Sequence, residues 1–207
     1  MLRGNVYIID DDQAIRDSLS WLFKSIDLSA EAFADGVEFL NAWSSDMCGC
    51  AIIDIRMPGM SGIELFEELR KKGSGLPVIF LTGHGDIHLA VRAMKDGAFD
   101  FVEKPFKDQE LLEIVQKAIR AHADARSAET QRAEIERRIG ALTPREREVL
   151  NRVAHGESNR GMAAALGLSE KTIEFHRAKM MEKMQAGTLA ELIMMITTLG
   201  RANSSKP

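Results

Sequence analysis

The chain has 207 residues, of which 45% are hydrophobic and 28% charged, with a net charge of −4. That balance excludes a disordered or fibrous chain, the length allows one large or two small domains, and the net charge by itself argues against a nucleic-acid binder. The average hides a split. Residues 1–122 carry 13 Lys and Arg against 20 Asp and Glu, residues 123–142 carry 4 against 4, and residues 143–207 carry 10 against 7. An acidic first part and a mildly basic last third point to two jobs in one chain.

The opening MLRGNVYIIDDD has no long apolar stretch, so no secretory leader is expected. No apolar run approaches the ~18–20 residues that cross a bilayer. Cys48 and Cys50 are too close for a comfortable disulfide, and no second pair is spaced to complete a zinc site. Both read as small buried thiols, and the expected location is the cytoplasm.

In chain order, Val6–Ile9 is an apolar run of strand length that stops at Asp10. Ile15, Leu19, Leu22 and Phe23 then follow helical spacing. Glu31–Phe33 is a weak strand. Ala51–Ile53 stops at Asp54, Pro58-Gly59 and Ser61-Gly62 mark a loop, and Ile63, Leu65, Phe66 and Leu69 mark a helix. Pro77–Leu81 ends at Thr82, Gly83-His84-Gly85 breaks it, and Ile87–Asp96 reads as helical. Phe99–Val102 leads to Lys104-Pro105, and Leu111, Leu112, Val115, Ala118 and Ile119 open a long helix. Strands apolar on both faces, alternating with amphipathic helices, predict α/β architecture: a doubly wound, five-stranded parallel sheet over residues 1–122, flavodoxin-like. Residues 123–141 read as a helical linker, either solvated or forming a short coiled-coil seam through Ile135 and Ile139. From residue 142 the chain reads as an all-α domain. Thr143 caps the first of four helices, with Pro144 in its first turn and Glu146 three places after the cap. The helices span roughly 144–155, 158–166, 169–184 and 188–199.

In a doubly wound sheet, ligands bind beyond the carboxyl ends of the strands. Asp10, Asp11, Asp12, Asp54, Thr82 and Lys104 all fall at such ends. Crowded carboxylates repel unless a cation sits among them, and a hard ion such as Mg²⁺ suits them. A lysine and a hydroxyl aimed at the same place add an anion clamp. Together these parts make a phosphoryl site in which an aspartate can be the nucleophile.

Ile9-Asp10-Asp11-Asp12, Asp54-Ile55-Arg56-Met57-Pro58-Gly59, Leu81-Thr82-Gly83-His84-Gly85-Asp86 and Glu103-Lys104-Pro105-Phe106 resemble the receiver domain of two-component response regulators. The resemblance implies that Asp54 accepts the phosphoryl group. It implies that Asp11 ligates Mg²⁺, or Mn²⁺ in its place, with Asp10 assisting and the Arg56 carbonyl completing the protein ligands. Thr82 would hydrogen-bond the phosphoryl group, Lys104 would pair with it, and Phe101 would be the aromatic switch; Asp12 is a bystander. Slow autophosphorylation and autodephosphorylation aside, no enzyme is implied. The rival reading is a haloacid-dehalogenase-like phosphohydrolase, whose Asp-x-Asp the first aspartates also fit. Gln13-Ala14 breaks that pattern, and Asp54 is left unexplained by it.

In the last domain, Gly167-Leu168-Ser169 forms a turn and cap between two helices, with Ala163, Leu166, Leu168 and Ile173 locking them, which is helix-turn-helix grammar. The second helix is expected to expose Lys171, Thr172, Arg177, Lys179 and Lys183, chemistries that meet DNA phosphates. Leu142-Thr143-Pro144-Arg145-Glu146-Arg147-Glu148-Val149-Leu150, Gly156–Arg160, Leu168–Arg177 and Met181–Met184 resemble the LuxR-type helix-turn-helix. The two resemblances together identify the chain as a member of the NarL/FixJ response regulators, in the FixJ-type subgroup. They imply DNA contact by Arg160 and base reading at Glu174, Phe175 and Ala178. One departure is Asn159-Arg160-Gly161-Met162-Ala163, where the family has Asn-Lys-x-Ile-Ala. The implied partners are a sensor histidine kinase, promoter DNA with two-fold related half-sites, a second copy after phosphorylation, and RNA polymerase. A switch whose output is protein binding alone is the alternative of a different class.

Overall fold

The computed structural model describes residues 4–83 and 87–203. Its backbone divides into two compact units, Met1–Arg126 and Ser127–Pro207. The first alternates β1 (Asn5–Ile9), α1 (Gln13–Lys24), β2 (Ser29–Phe33), α2 (Gly36–Ala42), β3 (Gly49–Asp54), α3 (Gly62–Lys71), β4 (Val78–Thr82), α4 (Ile87–Lys95), β5 (Asp100–Glu103) and the start of α5 (Asp108–Gly140). The five strands are all parallel in the order β2-β1-β3-β4-β5.

Strand periodicity sorts the core into two layers. Val6 and Ile8, with Cys50, Ile52, Ile79 and Leu81, face Leu19 and Phe23 of α1 and Leu111, Val115, Ala118 and Ile119 of α5. Tyr7 and Ile9, with Ala51, Ile53, Val78 and Phe80, face Phe39 of α2, Leu65, Phe66 and Leu69 of α3, and Ala93 of α4. Both faces are covered, so β1, β3 and β4 are apolar on both faces between their end residues. β2 is an edge strand that buries only Phe33 fully. Helix α2, seven residues long, is the one element the sequence pattern did not place. His84, Gly85 and Asp86 of the expected loop after β4 lie outside the described residues.

The second unit contains α6 (Pro144–Ala154), α7 (Asn159–Leu166), α8 (Glu170–Met184) and α9 (Leu189–Asn203). Thr143 and Glu146 form the reciprocal capping box read from the sequence. Gly167 closes α7 in the left-handed conformation, at φ 64°. The core holds Val149, Leu150, Val153, Met162, Ala163, Ile173, Met180, Met184 and Leu192. Ile135 is also buried there, and Ile139 packs against it. Those two residues, read as part of a solvated linker or a coiled-coil seam, serve the core of this unit.

Candidate functional site

β1, β3, β4 and β5 end side by side, so their last residues converge at one sheet edge. Asp10 follows β1, Asp54 ends β3, Thr82 ends β4 and Lys104 follows β5. Asp10, Asp54 and Thr82 are buried, whereas Asp11 is exposed. Lys104 Nζ lies 2.6 Å from Asp54 Oδ1 and 2.9 Å from Asp10 Oδ2. The second oxygen of Asp54 accepts the Arg56 backbone N–H at 2.7 Å, and the second oxygen of Asp10 accepts that of Asp12 at 2.9 Å. Both carboxylates are therefore oriented at both oxygens.

Burial and the neighbouring Asp10 carboxylate raise the pKa of Asp54, against the opposing pull of Lys104. Burial also works against the Lys104 ammonium, but hydrogen bonds to Asp54 and Asp10 outweigh it and its pKa is raised. One lysine is thus firmly charged between two carboxylates. The Thr82 side chain is 0% exposed. Its Oγ1 has no hydrogen-bond partner among the described residues. A buried hydroxyl left unpaired costs free energy, so this atom is set to receive a polar group. Beside the site, Asp11, Arg56, Met57, Ser61 and Leu89 line a cleft of about 680 Å³.

Among the described residues no three His, Cys, Asp or Glu side chains are grouped as a fully protein-built metal site. Mg²⁺ does not need one, since one or two carboxylates, waters and phosphate oxygens suffice. Asp10, Asp11 and Asp54 against Lys104 leave a formal surplus of two negative charges, which a divalent ion matches. Arg56 has its side chain exposed beyond Asp54. Phe101 is half-buried on β5 and packs on the same layer as Leu89.

Asp12 has a local structural place: its side chain accepts the Ala14 N–H and caps α1. Arg16, absent from the sequence reading, donates to the Asp10 backbone carbonyl at 2.6 Å and also bonds Gln13. An arginine in the first turn of a helix is too common for its residue type alone to have marked it.

In the second unit, Ser169 caps α8, accepting the Thr172 N–H at 3.1 Å. Ile173, Met180 and Met184 turn α8 toward the core. Lys171, Glu174, Phe175, Ala178 and Lys179 are exposed on its other side, with Phe175 at 60%, and Arg160 is exposed on α7. Three residues expected to be exposed are half-buried instead. Thr172 bonds the capping Ser169, Arg177 donates to Asn159 Oδ1 at 2.8 Å, and Lys183 pairs with Glu146 at 2.7 Å. Arg177 and Lys183 reach back to the scaffold, and Thr172 to the cap of its own helix, because helical spacing from Ile173 and Met180 carries them to the flank of the buried stripe. Gly161 has room for a methyl group, with only Ser158 Oγ near, at 3.5 Å.

The response regulator receiver domain family matches residues 6–116, and the luxR family of bacterial regulatory proteins matches residues 140–196. The transcriptional regulatory protein FixJ of Bradyrhizobium diazoefficiens is 42% identical over 201 residues, covering 97% of this chain and 98% of its own. The C4-dicarboxylate transport transcriptional regulatory protein DctR of Rhodobacter capsulatus is 44% identical over 193 residues, covering 92% and 98%. Among solved structures, the response regulator StyR superposes with a TM-score of 0.86 at 37% identity, covering 94% of this chain and 98% of its own. Full-length FixJ from B. japonicum gives 0.61 at 42% identity, covering 97% and 99%. These likenesses span both units, and they favour the receiver reading, in which Asp54 has a role, over the phosphohydrolase. The chain belongs to the response regulators of two-component systems, in the FixJ-type group that joins a receiver to a LuxR-type helix-turn-helix, and is a DNA-binding regulator of transcription.

Proposed function

We propose that Asp54 accepts a phosphoryl group from a phosphohistidine of a partner sensor histidine kinase. The observation that carries this reading is the set Asp54, Lys104, Thr82: a buried carboxylate bonded to an ammonium, beside a buried hydroxyl without a partner among the described residues. One oxygen of the Asp54 carboxylate attacks phosphorus, the phosphorus–nitrogen bond breaks, and the electron pair leaves on the imidazole nitrogen. Lys104 then pairs with the phosphoryl oxygens, and the Thr82 hydroxyl donates to one of them. Asp10, Asp11, Asp54 and the Arg56 carbonyl would hold Mg²⁺, whose charge offsets the repulsion between carboxylate and phosphoryl oxygens. The aspartyl phosphate is a mixed anhydride, and attack of water on phosphorus returns Asp54 and inorganic phosphate. That slow self-hydrolysis, and slow phosphorylation by small donors, is the whole of its own chemistry.

Thr82 and Lys104 bind the phosphoryl group better in one arrangement of the receiver, so phosphorylation shifts the population toward it. Phe101, half-buried beside them, moves with Thr82 as the switch. Two phosphorylated receivers pair, and the paired DNA-binding domains engage two-fold related half-sites in promoter DNA. On α8, Lys171 and Lys179, with Arg160 of α7, meet phosphates. Glu174 accepts from a cytosine amine and Phe175 touches a thymine methyl, with Ala178 beside them. Thr172, Arg177 and Lys183 lie at the margin of this surface. Regulation of transcription of this kind belongs in the cytoplasm, and contact with RNA polymerase accords with an activator. Among the described residues no helix is long and apolar enough to cross a membrane.

The test is incubation of the chain with acetyl phosphate and Mg²⁺, read by intact mass and light scattering. The wild type should gain one phosphoryl group and dimerise. The Asp54→Asn variant should do neither, and dimerisation of that variant would refute the assignment.

A further inference from the structure

The last turn of α8 is fastened by charge. Lys183 Nζ lies 2.7 Å from Glu146 Oε2, with side-chain exposures of 35% and 6%. The same carboxylate oxygen accepts the Thr143 backbone N–H at 2.8 Å, and the Thr143 hydroxyl accepts that of Glu146. Glu146 therefore closes the start of α6 and holds a side chain of α8 at once. Met180 and Met184, on either side of Lys183, are fully buried. Arg138 donates to the Met184 carbonyl at 3.1 Å, and cations at a helix C-terminus are favoured by its dipole.

Lys179 shows the contrast. It pairs with Glu182 on the surface, at exposures of 48% and 69%. An exposed pair is worth little and yields readily to a phosphate. A carboxylate at 6% exposure does not release its lysine so cheaply, because an unpaired charge would stay buried.

We infer that Lys183 and Glu146 form a positioning lock that sets α8 against α6, and that Lys183 orients the DNA-reading helix instead of contacting phosphate. The inference rests on the reading of the exposed α8 face as the DNA surface. With the lock closed, Glu174, Phe175 and Ala178, one to three turns upstream, keep one rotational setting about the helix axis. With it open, that setting is lost although none of the three has been touched.

The key variant is Glu146→Gln. Glutamine keeps the reciprocal cap with Thr143, since either residue serves at that place, and removes only the charge. The probes are the duplex that the full-length wild type enriches from a random library and a scrambled duplex of the same length, followed by anisotropy across a salt series. Removing an anion from a DNA-binding domain would by its field alone tighten binding to both. The lock predicts the opposite sign. Affinity for the enriched duplex falls about tenfold, the worth of one good base contact, and affinity for the scrambled duplex is unchanged. Lys183→Met gives the same loss, the double variant loses no more than either, and Lys183→Arg retains affinity. The slope of log affinity against log salt is unaltered by Lys183→Met, whereas Lys179→Ala lowers it by about 0.9. Tighter binding by Glu146→Gln overturns the lock, and so does a drop of about 0.9 in the Lys183→Met slope. If Lys183→Met fails to fold, the sign of the Glu146→Gln effect decides alone. If Lys171→Ala and Lys179→Ala leave both duplexes bound as before, the α8 face itself is not the DNA surface, and the lock falls with it.

Discussion

Replacing Thr82 by valine should stabilise the resting protein while silencing its response. Valine has nearly the shape of threonine, so the packing at the end of β4 is kept and only the hydroxyl is lost. That hydroxyl is fully buried and has no partner among the described residues. Burying an unpaired hydroxyl costs about 1–3 kcal/mol, and the methyl that replaces it contributes up to ~0.8 kcal/mol of apolar burial. The net expectation is a gain of about 1–4 kcal/mol. For a unit of this size, 1 kcal/mol moves the melting midpoint by roughly 4 °C, so the receiver transition should rise by about 4–15 °C. Calorimetry without phosphodonor measures the gain. Light scattering with acetyl phosphate and Mg²⁺ measures the response, which should vanish even though Asp54 is still modified. A midpoint at or below that of the wild type would show that the hydroxyl is satisfied at rest. Dimerisation of the variant on phosphorylation would refute its role in the switch.

Asp12→Ala removes the α1 cap and should cost about 1 kcal/mol by calorimetry, yet leave Mg²⁺ affinity intact; a fall in metal affinity would make Asp12 a ligand. Gly62→Ala would place a methyl carbon 2.2 Å from the Asp54 carbonyl oxygen. It should destabilise by about 1–3 kcal/mol and slow phosphorylation by acetyl phosphate, and a wild-type rate would show that the end of β3 yields without moving the acceptor. His122 accepts the Gly49 N–H at Nδ1, at 3.1 Å, and must be neutral to do so. Burial and the Arg126 charge hold its pKa below the ordinary 6.5. The unfolded chain then binds more protons between the folded-state pKa and 6.5, so stability falls as pH drops through that window. His122→Gln keeps an acceptor and should flatten this part of the stability profile; an unchanged profile would assign the step to another group.

The strand-end site was legible because it obeys a period. Apolar runs that stop at Asp10, Asp54, Thr82 and Lys104 say where each strand leaves the sheet, and parallel topology aligns those ends. The cap at Thr143 was legible because it is local, written within four residues. β2 was faint because an edge strand with one exposed face needs few apolar residues, and α2 is too short to show a period. Contacts set by tertiary packing left no local trace. Arg16 on the Asp10 carbonyl, His122 on Gly49 and Lys183 on Glu146 pair groups 6, 73 and 37 residues apart. Nothing in the residue types selects those pairs over others. Lys183 stands at the flank of the buried stripe beside Met180 and Met184, where helical spacing alone does not decide whether a long side chain turns to solvent or to the scaffold.

Net charge shows the same gap between residue type and environment. The ten cations of residues 143–207 outnumber seven acids, and taken alone they describe a weakly basic surface. Arg145, Arg152, Lys179 and Lys183 are each paired with a carboxylate, and Arg177 is turned to Asn159. Arg160 and Lys171 form no ion pair among the described residues, and both are exposed on the two helices of the helix-turn-helix. Among the described residues, Arg160, Lys171 and the weakly held Lys179 are the cations on the exposed face of the helix-turn-helix, so one copy releases few counterions and gains little from phosphate contacts. Two copies on a two-fold site double that gain, and joining them turns the second contact into an intramolecular one at high effective concentration. In the function proposed above, the receiver supplies the joint, and its carboxylates and Lys104 make the joining conditional on a phosphoryl group. On that proposal the modest charge of the DNA-binding unit is what makes the condition matter: a strongly basic domain would bind DNA in either state, and phosphorylation would have nothing left to control.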